Sequence, residues 1–246
     1  MKTSNPIIRT AFHFVSKLVW LWKALGPLKA ARLLFEVLVI EINSEWIRSW
    51  RDSRFDRRYN VITAGFRTLA QLGLADSDHV SHNYRGTPEA LFKAALGELP
   101  IDWRQFEFVD YGSGMGKALL LAARLPFRRI TGVEFSAELH AAAERNIANW
   151  RLPDQRCLAV RSILADASSW LIPEGNCLLY FFNPFRPVLL RTILAHIITG
   201  AKPERQLYLV YIHPSYPEVF AEFPNLIKTA ELTIRHSLYS IYKVAP

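Results

Sequence analysis

Long unbroken apolar runs, cysteines and metal-ligand clusters are what this sequence has least of. Half of its 246 residues are apolar. Even so, Lys17, Lys23, Glu36 and Glu41 interrupt the richest region, which leaves no stretch of the 18 or so apolar residues that a membrane span requires. His13 and Lys17 also break the apolar segment of a secretory signal, and no clear cleavage site follows. The two cysteines, Cys157 and Cys177, fall inside expected strands among apolar neighbours, and there is no Cys-x-x-Cys or Cys/His cluster. A disulfide framework and a structural metal site are therefore not expected. Buried free thiols suit a reducing compartment, so a cytoplasmic location is.

Acidic charge is also short, with 22 acids against 30 lysines and arginines and a net charge of +8. Most of the surplus lies early: residues 1–60 carry eleven basic residues and five acids. The remainder is nearly neutral, without the basic stripe near its site that a nucleic-acid binder would show, so no nucleic-acid partner is expected.

Nucleotide-binding glycine patterns are nearly absent. Gly112, Gly114 and Gly116 stand at every second position, so the third glycine comes four residues after the first, whereas a dinucleotide fingerprint places it five after. Lys117 is followed by Ala118, which argues against the triphosphate loop with its Lys-Ser/Thr ending. What is present is a strand over Phe106, Phe108 and Val109, the turn Asp110-Tyr111-Gly112-Ser113-Gly114-Met115-Gly116, and a helix over Ala118–Ala123. Glycine permits turns that side chains forbid and leaves bare backbone beside a helix start, where a nucleotide-like ligand can lie. The stretch Arg129–Glu134 reads as a second strand ending in an acid, twenty residues after Gly114, where a carboxylate can accept both ribose hydroxyls. Ala137–Trp150 reads as a helix, Cys157–Ile163 as a third strand, and Asp166-Ala167 follows it.

The Asp-x-Gly-x-Gly-x-Gly pattern resembles motif I of the class I, seven-strand methyltransferases that use S-adenosylmethionine. The resemblance spans about residues 54–246. It implies an α/β, Rossmann-like, mostly parallel seven-stranded sheet with helices on both faces. It also implies S-adenosylmethionine as cofactor, with Asp110 at its amino end, Gly112, Gly114 and Gly116 along its methionine and ribose, Glu134 on the ribose, and Asp166 and Ala167 at the adenine. An acidic mouth suits a ligand that carries an ammonium and a sulfonium but no phosphate. Arg54–Gly65 reads as a charged turn, and Tyr84-Arg85-Gly86-Thr87-Pro88 precedes a short helix, Glu89–Leu96, with Thr87 as its expected start. These segments resemble an uncharacterised bacterial group with some similarity to protein-lysine methyltransferases that lack a SET domain. By that analogy Tyr84 and Thr87 close over the cofactor's methionine end; otherwise they are a helix cap and a packed tyrosine.

The run Asn176–Phe182 reads as a buried central fourth strand, and Asn183-Pro184-Phe185 follows at the carboxyl edge, where such sheets bind ligands. The triplet resembles the Asn/Asp-Pro-Pro-Tyr/Phe motif of enzymes that methylate amino groups, with one proline missing. It points to an amino nitrogen, on a protein lysine or similar, as acceptor; the other reading is a strand-ending Asn-Pro turn. His213, at the end of the strand Gln206–Ile212, is the candidate proton acceptor, with Tyr211 and Tyr216 placed similarly. Asn225–Tyr242 is expected to supply a closing antiparallel pair.

Residues 1–53 are expected to form a helical extension, with amphipathic stretches at Thr10–Leu25 and 28–50 that cap the sheet or, alternatively, lie on an anionic membrane surface. Residues 54–246 are expected to form the catalytic domain. The expected activity is methyl transfer from S-adenosylmethionine. The alternatives are a small-molecule or lipid acceptor at a membrane surface, a non-catalytic cofactor-binding module, and a hydride-transfer enzyme.

Overall fold

The computed structural model describes residues 26, 52–68, 70–72, 83–150, 154–234 and 237–246. The chain divides into two units, Met1–Arg51 and Asp52–Pro246. The helices expected over 10–25 and 28–50, and any membrane contact made through residues 1–50, lie outside the described residues. Among the described residues no helix is long and apolar enough to cross a membrane, and no His/Cys/Asp/Glu cluster could hold a metal.

The second unit is built on a seven-stranded sheet. Helix α1 (52–59) precedes two short strands, β1 (Phe66–Arg67) and β2 (Tyr84–Arg85), which pair antiparallel. The chain then runs through α2 (Glu89–Gly97), β3 (Phe106–Tyr111), α3 (Lys117–Ala122), β4 (Arg129–Glu134), α4 (Ala137–Asn149), β5 (Val160–Leu164), β6 (Asn176–Phe182), α5 (Pro187–Thr199), β7 (Leu207–Ile212), α6 (Pro217–Ala221), β8 (Leu226–Ile234) and β9 (Ser237–Val244). The spatial order is β5-β4-β3-β6-β7-β9-β8, parallel except for antiparallel β9. This is a Rossmann-like α/β fold, with β6 in the central fourth place.

Continuous apolar runs make β3 and β6 internal strands, because both faces of a parallel sheet are covered by its crossover helices. On one face α2 and α3 pack Leu91, Phe92 and Leu119 onto Phe108 and Tyr180. On the other, α5 and α6 pack Leu190, Ile193 and Phe220 against Leu179 and Phe181. Tyr111 stacks flat on Phe181 at 4.8 Å, one of several ring pairs worth about 0.5–1.5 kcal/mol beyond their buried area.

Three local expectations change. The segment read as a charged turn contains α1. Its Phe55 and Tyr59, one turn apart, pack on Trp150 at 6.0 and 5.0 Å, and this distant partner stabilises a helix that propensity alone does not. Cys157 precedes β5 instead of lying in it, held by its N–H on the Ala123 carbonyl. The N-cap of α2 is Pro88, not Thr87, which is buried.

Candidate active site

The chain leaves β3 at Tyr111 and turns sharply over the carboxyl edge of the sheet. Gly112 and Gly114 have φ of +76° and +54°, in the left-handed region that side chains resist. Space demands glycine as well. A methyl group at Gly112 would come within 2.6 Å of the Pro184 ring, and one at Gly114 would overlap the Tyr84 ring. Gly116 serves differently: it is the left-handed N-cap of α3, faces Ala143 of α4, and is not among the residues lining the cleft.

Two buried carboxylates flank this turn. Asp110, the fifth residue of β3, and Glu134, the last of β4, are 3% and 4% exposed. Neither forms an ion pair among the described residues. Burial, followed by repulsion from Glu134, raises the Asp110 pKa well above its ordinary value. Glu134 is raised as well, chiefly by burial and against hydrogen bonds from the backbone N–H groups of Ser136, Gly114 and Phe135. Its Oε2 accepts from Gly114 at 2.8 Å and its Oε1 from Ser136 at 2.9 Å. Three donors on two oxygens leave one lone pair free.

These groups line a narrow cleft of about 60 Å³, together with Tyr84, Thr87, Ser113, Lys117, Phe182, Asn183, Pro184 and Phe185. The buried Ser113 hydroxyl has no hydrogen-bond partner among the described residues. Gly112, Phe135 and Phe185 also line an adjoining, mostly apolar hollow of about 440 Å³ with Asp166, Ala167, Val188 and Leu189. The cleft and the hollow share Gly112, Phe135 and Phe185 as walls. Asp166 caps a local turn through Oδ1, which accepts from the Ser168 backbone and hydroxyl at 2.8 and 2.7 Å.

Residues 52–64 run as a strap beside Tyr84 and the glycine turn. The Tyr84 hydroxyl donates to the Thr63 carbonyl at 2.8 Å, and Asp56 accepts from the Thr63 and Ala64 amides and the Thr63 hydroxyl. Asn146 of α4 bonds both backbone groups of Ile62 at 2.8 Å and the Met115 carbonyl at 2.9 Å. Below the turn, the Lys117 ammonium pairs with Asp52 and lies 4.8 Å from the Phe55 ring. Residues 52–64 are thereby tied to the glycine turn from both sides.

On the opposite wall, strands β6 and β7 end alike. Asn183 and His213 both have positive φ, +44° and +51°, and both precede proline. Such strained residues cost about 1–3 kcal/mol each and concentrate at functional sites. Asn183 faces the cleft, whereas His213 is exposed, outside the cleft lining, with its ring 5.4 Å from that of Phe182. The structure thus gathers Asp110, Gly112, Gly114, Glu134, Tyr84, Thr87, Asn183, Pro184 and Phe185 around one cleft and Asp166 and Ala167 around its extension. It leaves Gly116 and His213 outside. Ser113, Lys117 and Phe135 were not singled out from the sequence. All three adjoin the acidic and glycine positions that were, and that adjacency was the available signal.

No family model matches the chain, and no curated protein does. Solved structures resemble it in fold. An RNA methyltransferase from Salinibacter ruber with bound S-adenosylhomocysteine is 16% identical, over 65% of this chain and 94% of its own, with a TM-score of 0.48. The ribosomal protein L11 methylase of Lactobacillus delbrueckii is 12% identical over 64% and 77%, at 0.45. The geranyl diphosphate C-methyltransferase of Streptomyces coelicolor is 13% identical over 63% and 78%, at 0.46.

Proposed function

We propose that this chain is an S-adenosylmethionine-dependent methyltransferase. One observation carries the reading: two buried carboxylates, without cationic partners among the described residues, flank a glycine turn whose bare backbone is hemmed in by Tyr84 and Pro184, and the cleft they form adjoins an apolar hollow. Uncompensated buried charge is costly, and a ligand with an ammonium and a sulfonium offsets that cost. Asp110 and the Ser113 hydroxyl suit the amino-acid end, the remaining lone pair of Glu134 suits a ribose hydroxyl, and Phe135, Ala167 and Leu189 suit a purine face. The cofactor supplies a methyl group already activated by the sulfonium.

What remains for the protein is alignment and exclusion of water. Tyr84 and Thr87 wall the reacting end on one side, Asn183, Pro184 and Phe185 on the other. We take the acceptor to be an amino nitrogen, because Asn183 presents a carboxamide at that wall. No general base is assigned, and the nitrogen is taken to arrive unprotonated.

Calorimetry of the full chain with S-adenosylmethionine, S-adenosylhomocysteine and NAD tests this. Saturable binding of the first two, lost in Asp110→Ala, is expected. Binding of NAD alone would overturn the reading in favour of hydride transfer. Binding of the homocysteine form without any methyl transfer to a cell extract would point to a non-catalytic module.

A further inference from the structure

Asn183 does not hang freely at the cleft wall. Its Nδ2 donates to the Ser215 hydroxyl at 2.8 Å, and its Oδ1 accepts from the Tyr211 hydroxyl at 3.2 Å. Tyr211 is the fifth residue of β7, buried, with its ring stacked on Phe220 at 4.7 Å, and Phe220 stacks on Tyr242 at 4.8 Å. The tyrosine therefore sits in a rigid aromatic ladder. The Tyr211 hydroxyl gives its one proton to Asn183 Oδ1, so a carboxamide that could otherwise flip end for end is held one way round. The left-handed turn at His213 brings Ser215 back toward the cleft to hold the other end.

We propose that Tyr211 and Ser215 are positioning residues that orient the Asn183 carboxamide, leaving one lone pair of its oxygen for an N–H of the methyl acceptor. This rests on the methyltransferase reading above. It also assigns the His213 turn a structural task.

The full-length protein is compared with Tyr211→Phe, Ser215→Ala, Asn183→Ala and the Asn183→Ala/Tyr211→Phe pair. Calorimetry with S-adenosylhomocysteine reports the cofactor site. Transfer of labelled methyl from saturating S-adenosylmethionine to a cell extract, counted in protein, lipid and small-molecule fractions, reports turnover. Tyr211→Phe is expected to lower transfer at least tenfold while changing the affinity for S-adenosylhomocysteine less than twofold. In the Asn183→Ala background the same change should alter transfer less than twofold, because a residue acting through another has nothing left to act on. Equal losses in both backgrounds, or no loss at all, overturn the inference and leave the cofactor site standing. A wild type that binds no S-adenosylhomocysteine overturns both. The side-chain amide resonances of Asn183 need no turnover and decide the matter if transfer is too weak to compare: both Tyr211→Phe and Ser215→Ala should shift them, and unmoved resonances overturn the inference.

Discussion

Gly114→Ala tests the central contact of the site. Its methyl would overlap the Tyr84 ring edge, and its φ of +54° would hold an alanine in the left-handed region. The backbone part costs about 1–2 kcal/mol, and displacing a packed ring costs about 1–3 kcal/mol more. Together these make a loss of about 2–5 kcal/mol. For a body of this size each kcal/mol lowers the melting midpoint by about 2–4 °C. The two parts separate in a double-mutant cycle. In a Tyr84→Ala background the ring is gone, so adding Gly114→Ala should cost only the backbone part. Thermal and urea unfolding of the four proteins without ligand, followed by calorimetry with S-adenosylhomocysteine, would measure it. Equal costs of Gly114→Ala in both backgrounds would refute the argument that glycine is required there by the approach of Tyr84.

Asp110 and Glu134 have raised folded pKa values, so the folded chain holds protons that the unfolded chain has released. Stability without ligand should therefore fall as pH rises from the ordinary values of 3.8 and 4.5 through the folded ones. Asp110→Asn should flatten that slope in midpoints measured upward from the ordinary carboxylate range while abolishing cofactor binding; an unchanged slope would count against the assignment. Affinity for S-adenosylmethionine should rise over the same interval, with proton release seen as buffer-dependent heat. Lys117→Met strands Asp52 and should cost about 3–5 kcal/mol in urea unfolding, and adding Asp52→Leu should restore most of it. Asn146→Ala removes three hydrogen bonds that tie Ile62 to the glycine turn, so a loss of about 2–4 kcal/mol together with weaker cofactor binding is expected.

The parts of the fold legible in the sequence are those whose causes are local. Arg129–Glu134 as a strand and Asn176–Phe182 as the central one follow from short apolar runs bounded by turn residues. The glycine turn follows from backbone sterics, and the acids at strand ends follow from their spacing. Helix 52–59 was not legible, because its apolar residues are too few to suggest a period and its partner, Trp150, lies far along the chain. His213 was singled out for its position after a strand. Strand ends are crowded places, however, and a left-handed turn sends it outside the cleft lining while bringing Ser215 toward Asn183.

By itself, then, the sequence determined the strand-turn-helix unit at residues 106–123, the succession of acids Asp110, Glu134 and Asp166, and the alternation of strands and helices. Each depends on neighbours within a turn or two of chain. Tertiary structure alone decided that Tyr84 closes on Gly114, that Asn146 ties Ile62 to the turn, and that the Tyr211 hydroxyl donates to Asn183 from 28 residues away. The physical reason is that a hydrogen bond or ring contact between distant residues depends on strand order and register, and one sequence position carries no record of which residue will be set beside it.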